Sequence, residues 1–458
     1  MNDHALRVLE YDKVREIVSR FAASAPGSAR VLGLEPSPET GEVAARLAAT
    51  RELMQLLASS DQVPLDGIRD IAASVDRLAV AGSVLQPAEL LEIASTLAAG
   101  RRVKAFAGRF AAAGTGAART SAPLLAAAAA PIVPLKQLED AVHRAVDEAG
   151  EVRDAASPEL RRLRKLIGRM RDEILDRMGR ILRDAEARNV VQEQVITVRD
   201  DRYVIPLKPN FRQGLKGVVH GQSGSRATLF VEPLEVLEQN NRLAELRMEE
   251  RDEVERILRE LTSLLAAERQ AIAATAGALA AIDAAWARAR FGAACGGTVP
   301  LLSPERRLRL RAARHPLLVW KAGTAADGGA VVPNDIDLSQ EQKVLIISGP
   351  NAGGKTVVLK TVGLLCLMAQ SGMPVTAGEG SELPVFGDLF ADIGDEQSLE
   401  QDLSTFSSRV RRVAEILREA DRGSLVLIDE LGSGTDPAEG AALGSAVLAR
   451  LLQAGCMK

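Results

Sequence analysis

Val344-Leu345-Ile346-Ile347-Ser348 runs directly into Gly349-Pro350-Asn351-Ala352-Gly353-Gly354-Lys355-Thr356, and Val357 to Gln370 follows with helical character. An apolar run, a glycine-rich turn and a helix, in that order, predict a buried β-strand feeding a phosphate-binding loop of the G-x-x-x-x-G-K-[ST] type. Glycines let backbone N–H groups turn inward around phosphate oxygens, and the helix N-terminus adds a favourable dipole. On this reading Gly349, Pro350, Asn351, Ala352, Gly353 and Gly354 cradle the phosphates of ATP. Lys355 reaches the β- and γ-phosphates, and Thr356 ligates Mg²⁺.

A metal-side carboxylate is expected from a second strand. Leu425-Val426-Leu427-Ile428 ends in Asp429-Glu430, so a buried parallel strand delivers two acids at its carboxyl end, where α/β sheets bind their ligands. Asp429 is the expected Mg²⁺ ligand. Glu430 is the expected catalytic residue that orients or deprotonates the attacking water, acting with Lys355.

These residues carry a family likeness. Gly349 to Thr356, the run from Asp429-Glu430-Leu431-Gly432-Ser433 through Gly434-Thr435-Asp436-Pro437, and Ser404-Thr405-Phe406-Ser407-Ser408 together resemble the MutS ATPase, a relative of the ABC transporter ATPases. Asp392-Ile393-Gly394-Asp395-Glu396-Gln397-Ser398 and Ser404-Thr405-Phe406 are similar to the second bacterial MutS branch. So are Tyr203-Val204-Ile205-Pro206, Ala227 to Pro233, and Leu9-Glu10-Tyr11-Asp12-Lys13, and the likeness extends over essentially the whole chain.

The resemblance implies a homodimer with two composite ATP sites. Ser404 would donate toward the partner's γ-phosphate, with Asp436 near the dimer seam; Ser404 also fits a helix cap, and the two roles are compatible. Val332-Pro333-Asn334 matches the stretch that lies against the base, and His315 belongs to a family Arg-His-Pro motif. Mismatch-binding relatives carry an N-terminal Phe-x-Glu wedge. Only Phe230-Val231-Glu232 fits those letters here, and it lies in a strand-like segment, so mismatch recognition is not expected. The family ATPase continues with another core strand, a His-containing loop and, in this branch, a nuclease-type Smr domain. The resemblance therefore implies an ATPase domain cut after the second carboxylate motif, an open sheet edge, and no endonuclease residues in this stretch.

Upstream of the ATPase the pattern is helical. Leu160, Leu163, Ile167, Met170 and Ile174 alternate spacings of three and four, a heptad seam on a helix that Ser157 caps and Pro158 starts. A second long helical pattern over 234–265 places Leu243, Leu246, Val254, Ile257, Leu261 and Leu264 on one face. Between them, Val195 to Val198, Tyr203 to Leu207, Val218-Val219 and Thr228 to Val231 are strand-like, with a hairpin turn at Asp200-Asp201. The expected arrangement is a helix going out, a β tip and a helix returning, an antiparallel coiled-coil lever with a small clamp tip. Residues 158–188 hold 10 basic and 6 acidic residues, whereas 234–260 hold 5 and 9, so the helices are expected to neutralise one another. The tip, 189–226, holds 6 basic and 3 acidic residues. Its expected phosphate contacts are Arg199, Arg202, Lys208, Arg212, Lys216 and Arg226, interleaved with Tyr203 and Phe211.

The expected fold is therefore multidomain. A helical core spans 1–134, the lever and tip 135–295 (β-rich over 190–233), and an incomplete P-loop ATPase domain 296–458. Leu6, Leu9, Val14 and Ile17 fit one helical face, Ser37 and Pro38 suit the start of the next helix, and the Ala/Gly-rich stretch 106–134 reads as a surface linker. A length of 458 residues suits about three domains at ~100–200 residues each. A net charge of −4 excludes a uniformly basic coat, yet residues 343–458 alone hold 10 basic and 15 acidic residues, so the basic surplus lies upstream. Three distant cysteines and four histidines point away from a disulfide framework or a zinc site. With no secretion signal and no apolar run of membrane-spanning length, the bacterial cytoplasm is expected and a membrane is not. Three functions fit: an ATP-driven clamp on branched or recombining DNA, an ATPase that grips and splits stalled or collided ribosomes through rRNA, or an inactive chain that dimerises with a full-length partner.

Overall fold

The computed structural model of this chain describes residues 2–111, 121–209, 215–224, 227–324, 330–350, 353–394, 404–432 and 436–458, residues 404–408 by their backbone alone. It separates into two compact units, each assembled from discontinuous segments: residues 1–70, 96–134 and 273–458 form one, and 71–95 with 135–272 the other.

The first unit is organised around the helix Lys355–Gln370, whose residues from Thr361 to Gln370 are all buried. A helix apolar on every side has to sit inside a core. Leu364, Leu365, Leu367 and Met368 pack with Leu9, Val14 and Val18 on one hand and with Leu389, Leu425 and Leu427 on the other. Gly363 makes the approach possible, since a Cβ there would stand 2.7 Å from the methyl carbons of both Leu9 and Leu427. Polar contacts secure the helix's C-terminal end. Tyr11 Oη and Ser371 Oγ lie 2.5 Å apart, Thr50 Oγ1 donates to the Gly372 carbonyl at 2.8 Å, and Gln370 Nε2 donates to the carbonyls of Ser37 and Phe386. Buried Arg288 donates to the Ser371 carbonyl at 3.2 Å, a cation at the negative end of the helix dipole, and burial lowers its pKa to about 10.

Strands Leu389–Asp392 and Leu425–Ile428 pair in parallel, Ile428 opposite Asp392. Cys456–Lys458 continues this array: Val426 N–H donates to Met457, and Lys458 exchanges bonds with Lys343 and Leu345. The expected strand Val344–Ser348 is not a regular strand. Its ladder bonds reach only Leu345, and Leu345 and Ile346 are 42% and 73% exposed. Among the described residues no second flank pairs with it, and an extended segment without ladder partners is not held as a strand. A separate four-stranded sheet is ordered Leu301–Leu302, Glu382–Leu383, Leu308–Ala313, Asn334–Leu338.

Part of the stretch expected as a surface linker is core. The helix Pro87–Phe110 takes up its beginning, and Ala122, Leu125, Ala129 and Ile132 are buried with Trp286 and Leu279. Alanine runs pack closely where a helix can approach, and here the buried Glu52 carboxylate accepts from the N–H groups of Leu124 and Leu125 at 2.9 and 2.7 Å, satisfying the start of the helix Pro123–Ala128. At the other turn, Ser37 accepts from Glu39 N–H, while the helix itself starts at Thr40, so Pro38 precedes it.

In the second unit the helices Pro158–Ala187 and Leu237–Ala267 run antiparallel, as Ser157 meets Glu253 and Arg164 meets Glu250. Ser157 caps the first helix through Leu160 N–H at 2.9 Å. Leu160, Leu163 and Ile174 are buried on it and Leu243, Leu246, Ile257 and Leu261 on the second. Leu264 is 46% exposed instead, and Leu265 takes the core position, one turn after Leu261. The opposite charges are used mostly within the return helix, through Arg242–Glu245, Arg256–Glu253 and Arg259–Glu255, and Arg164–Glu250 bridges the two helices. Between the helices lies a four-stranded antiparallel sheet ordered Thr197–Arg199, Arg202–Leu207, Leu229–Pro233, Gly217–Gln222. Its first turn is Asp200-Asp201, both at positive φ (48° and 60°), as a two-residue hairpin requires.

Among the described residues one helix, Arg269–Ala294, is long and apolar enough to cross a membrane by length and composition, and 50% of its most apolar window is buried within the protein. Replacing Glu52 with Ala should leave the N–H groups of Leu124 and Leu125 unpaired in the core and cost roughly 1–3 kcal/mol, seen as a lower thermal midpoint. An unchanged midpoint would show that the alanine-rich segment is not anchored through this carboxylate.

Candidate nucleotide site

Thr356 stands in the first turn of the helix Lys355–Gln370, and its hydroxyl donates to Asp429 Oδ2 at 2.5 Å. A hydroxyl and a carboxylate thus converge at one point, and both are hard oxygen donors suited to Mg²⁺. Asp429 is held on its other sides as well. Its N–H donates to the Asp392 carbonyl at 2.9 Å, continuing the parallel ladder, and its carbonyl accepts from Arg409 Nη2 at 2.8 Å. Asp429 is 7% exposed, whereas Glu430, next to it, is exposed and has φ 50°. Positive φ is uncommon for a residue with a side chain and marks a sharp turn at the strand end.

The glycine loop has the backbone freedom its chemistry needs. Gly349 has φ 150° and Gly354, the N-cap of the helix, φ 81°. A Cβ on either would meet open space, so glycine is required at Gly354 for conformation rather than for room. Gly353 N–H donates to the Pro350 carbonyl at 2.9 Å, and Lys355 Nζ donates to the Gly349 carbonyl at 2.6 Å, folding the lysine back over the loop. A cleft of about 400 Å³ opens beside Lys355, Asp429 and Glu430, walled by Ile347, Val426 and Leu448. The helix dipole, the cationic lysine and the Thr356–Asp429 pair converge on this cleft edge, so the residues present fit a magnesium nucleotide.

Residues 345–458 match MutS domain V. Along nearly its whole length the chain is also similar to proteins named endonuclease MutS2. It is 43% identical to that of Geobacillus sp. (strain WCH70) and 46% to that of Geobacillus kaustophilus (strain HTA426), each over 448 residues and 98% of this chain. It is 42% identical over 456 residues to that of Pelotomaculum thermopropionicum (strain DSM 13744 / JCM 10971 / SI). These likenesses support the MutS2 branch of the MutS family as the chain's kin. It spans about half the length of these relatives, 55% or 56% of each.

Several other residues singled out in the MutS2 pattern can be placed. Ser404 opens the helix Ser404–Glu419. Asp436 caps the helix Pro437–Ala454 through Ala438 N–H at 2.9 Å. Val332 is 75% exposed, beside Asn334 at the start of a strand. Asn351 and Ala352 lie outside the described residues, as do Arg212, Arg226 and Phe211.

The basic residues of the small sheet divide. Arg202 is turned inward: Nη1 donates to the fully buried Glu232 carboxylate at 2.9 and 3.2 Å and Nη2 to Asn241 at 2.6 Å, so its charge is already matched. Glu232 also meets His220 Nε2 at 2.6 Å and Asn240 Nδ2 at 2.8 Å, which makes Phe230-Val231-Glu232 a structural element of the sheet. Tyr203, expected as an aromatic residue interleaved with these basic ones, is 8% exposed and belongs to the core. Arg199 lies over the Phe230 ring, 4.4 Å from its centroid, and remains exposed, as does Lys216; Lys208 donates to Asn189.

Arg409 was not legible as a site residue. An arginine in Arg409-Val410-Arg411-Arg412 reads as the solvated face of a helix, and only the fold brings it against the Asp429 carbonyl. His315 is 7% exposed, precedes the helix Pro316–Thr324, and its Nδ1 has no partner among the described residues. Burial lowers its pKa to about 4, with Glu10 opposing the shift and Lys360 adding to it. The unfolded chain therefore takes up a proton between about pH 6.5 and 4 that the folded chain excludes. His315's contribution is complete above about pH 6.5 and is lost as pH falls toward 4, by up to about 3 kcal/mol. The thermal midpoint of the wild type should fall more steeply over that window than that of His315→Gln; parallel curves would contradict this.

Proposed function

We propose that this chain is a Mg²⁺-dependent ATPase that works as a homodimer and acts on branched or recombining DNA, not on mismatches. The observation that carries the reading is the Thr356–Asp429 contact at 2.5 Å beside the glycine loop, with Glu430 at the next position. Thr356 and Asp429 would hold the metal, which supplies charge neutralisation along the β- and γ-phosphates when bound. The loop from Gly349 to Gly354, Asn351 and Ala352 included, would cradle the phosphates, and Lys355 would leave the Gly349 carbonyl for the γ-phosphate. Glu430, exposed at the strand end, would orient a water for in-line attack and accept its proton. Ser404 would complete the partner's site from the start of its helix.

The paired helices Pro158–Ala187 and Leu237–Ala267 fit a lever, and the four-stranded sheet between them a clamp tip. Arg199, Lys208 and Lys216 are its proposed phosphate contacts, with Arg212 and Arg226 as further candidates outside the described residues; Arg202 is left out because Glu232 matches its charge. ATP hydrolysis is the activity proposed, and no residue of this chain is assigned to the endonuclease activity in its relatives' name. The bacterial cytoplasm is the proposed compartment.

Lys355→Ala should weaken ATP binding by about 100-fold or more, and Glu430→Gln should bind ATP normally while hydrolysing it about 10²-fold or more slowly. Wild-type turnover in Glu430→Gln would refute its role. For the partner, binding to a four-way junction against linear duplex across a salt series should favour the junction, with a log–log salt slope reduced in Arg199→Ala/Lys216→Ala by about 2. Equal, salt-insensitive binding to both DNAs would contradict the DNA reading, and ATP-dependent cosedimentation with collided ribosomes in its place would favour a ribosomal RNA target.

A further inference from the structure

We propose that Arg409 is a positioning residue for Glu430, linking the orientation of that carboxylate to the helix that begins at Ser404; this rests on the role proposed for Glu430. The carbonyl that Arg409 grips belongs to the peptide joining Asp429 to Glu430. Flipping that peptide plane would rotate Asp429 ψ and Glu430 φ together and relieve the positive φ of Glu430, 50° here. It would also turn the peptide N–H toward the guanidinium, which only donates. Arg409 therefore selects the peptide orientation in which Glu430 leaves the strand at its sharp angle.

The guanidinium is itself held. Arg409 Nε donates to Asp392 Oδ2 at 3.3 Å, and Arg412 Nη1 lies 3.5 Å from Asp392 Oδ1 and 3.1 Å from His4 Nε2. The Asp392 side chain is 4% exposed and stands at the end of the strand paired with Leu425–Ile428. Two arginines one helical turn apart thus clasp one buried carboxylate, and Arg409 spans from it to the Asp429 carbonyl. Because Ser404 opens this same helix, a shift of the helix end on dimer contact would be felt at the Asp429–Glu430 peptide through Arg409.

The test uses the whole chain with Arg409→Ala and Arg409→Lys, beside Glu430→Gln as reference. Arg409→Ala should lower kcat about 10-fold or more while ATP affinity stays within about threefold. Amide hydrogen exchange over 429–432 should rise at least about threefold more than exchange elsewhere in the chain, whatever the fall in thermal midpoint from the lost Asp392 contact. Arg409→Lys, which keeps the charge but only one donor nitrogen, should recover part of both effects, and it is the variant to read if Arg409→Ala does not fold. Unchanged exchange over 429–432, or a loss of turnover matched by an equal loss of ATP affinity, would overturn the proposal. Normal turnover in Glu430→Gln would instead remove the role of Glu430, and the exchange data would still decide whether Arg409 holds the peptide.

Discussion

The carboxylate of Asp429 receives a hydrogen bond from Thr356 at 2.5 Å, and the rest of the candidate site is arranged to make that contact possible. Two oxygen donors from chain segments far apart in sequence reach one point because a strand end and a helix start are both fixed. The strand end is fixed by its parallel ladder to Leu389–Asp392, the helix by burial from Thr361 to Gln370. Both constraints come from the protein's own packing, which fixes the geometry of the proposed metal side. That is the sense in which an electrostatic site is preorganised.

The helix Lys355–Gln370 carries this constraint. Its half-buried first turn holds Lys355 and Thr356, while its last three turns are locked by Leu9, Leu425 and Leu427 around Gly363 and by Arg288, Tyr11 and Thr50 at its end. A glycine inside a helix costs about 1 kcal/mol relative to alanine, and here it admits two leucines that larger residues would push away. The small sheet of the second unit follows the same logic with polar groups. Glu232 and Asn240, both at 0% exposure, are satisfied by Arg202, His220 and the Tyr203 backbone, so the buried charge is matched where it sits.

What could be read in the sequence was the chemistry that local pattern encodes. The strand–loop–helix order around Gly349 to Thr356, the acids after Leu425 to Ile428, the cap at Ser157 and the turn at Asp200-Asp201 each depend on neighbours in the chain. What escaped depends on partners distant in sequence. Arg202 looked free because Glu232 is thirty residues away, Leu264 and Leu265 differ only in which of them the fold buries, and the alanines near 125 gave no sign of Glu52. Val344 to Ser348 has the composition of a buried strand, and composition does not say whether both flanks find ladder partners. Arg409 belongs with these, since a basic residue on a polar helix face carries no local mark of what it touches.

The central claim is that Thr356 and Asp429 hold one Mg²⁺ as a unit. A double-mutant cycle with Thr356→Val and Asp429→Asn, read as ATP affinity with Mg²⁺ and with the metal chelated, tests it most directly. Each single change should weaken Mg²⁺-ATP binding, the double variant should be little worse than the more affected single one, and all four proteins should bind metal-free ATP alike. Additive losses, or equal losses without Mg²⁺, would contradict it.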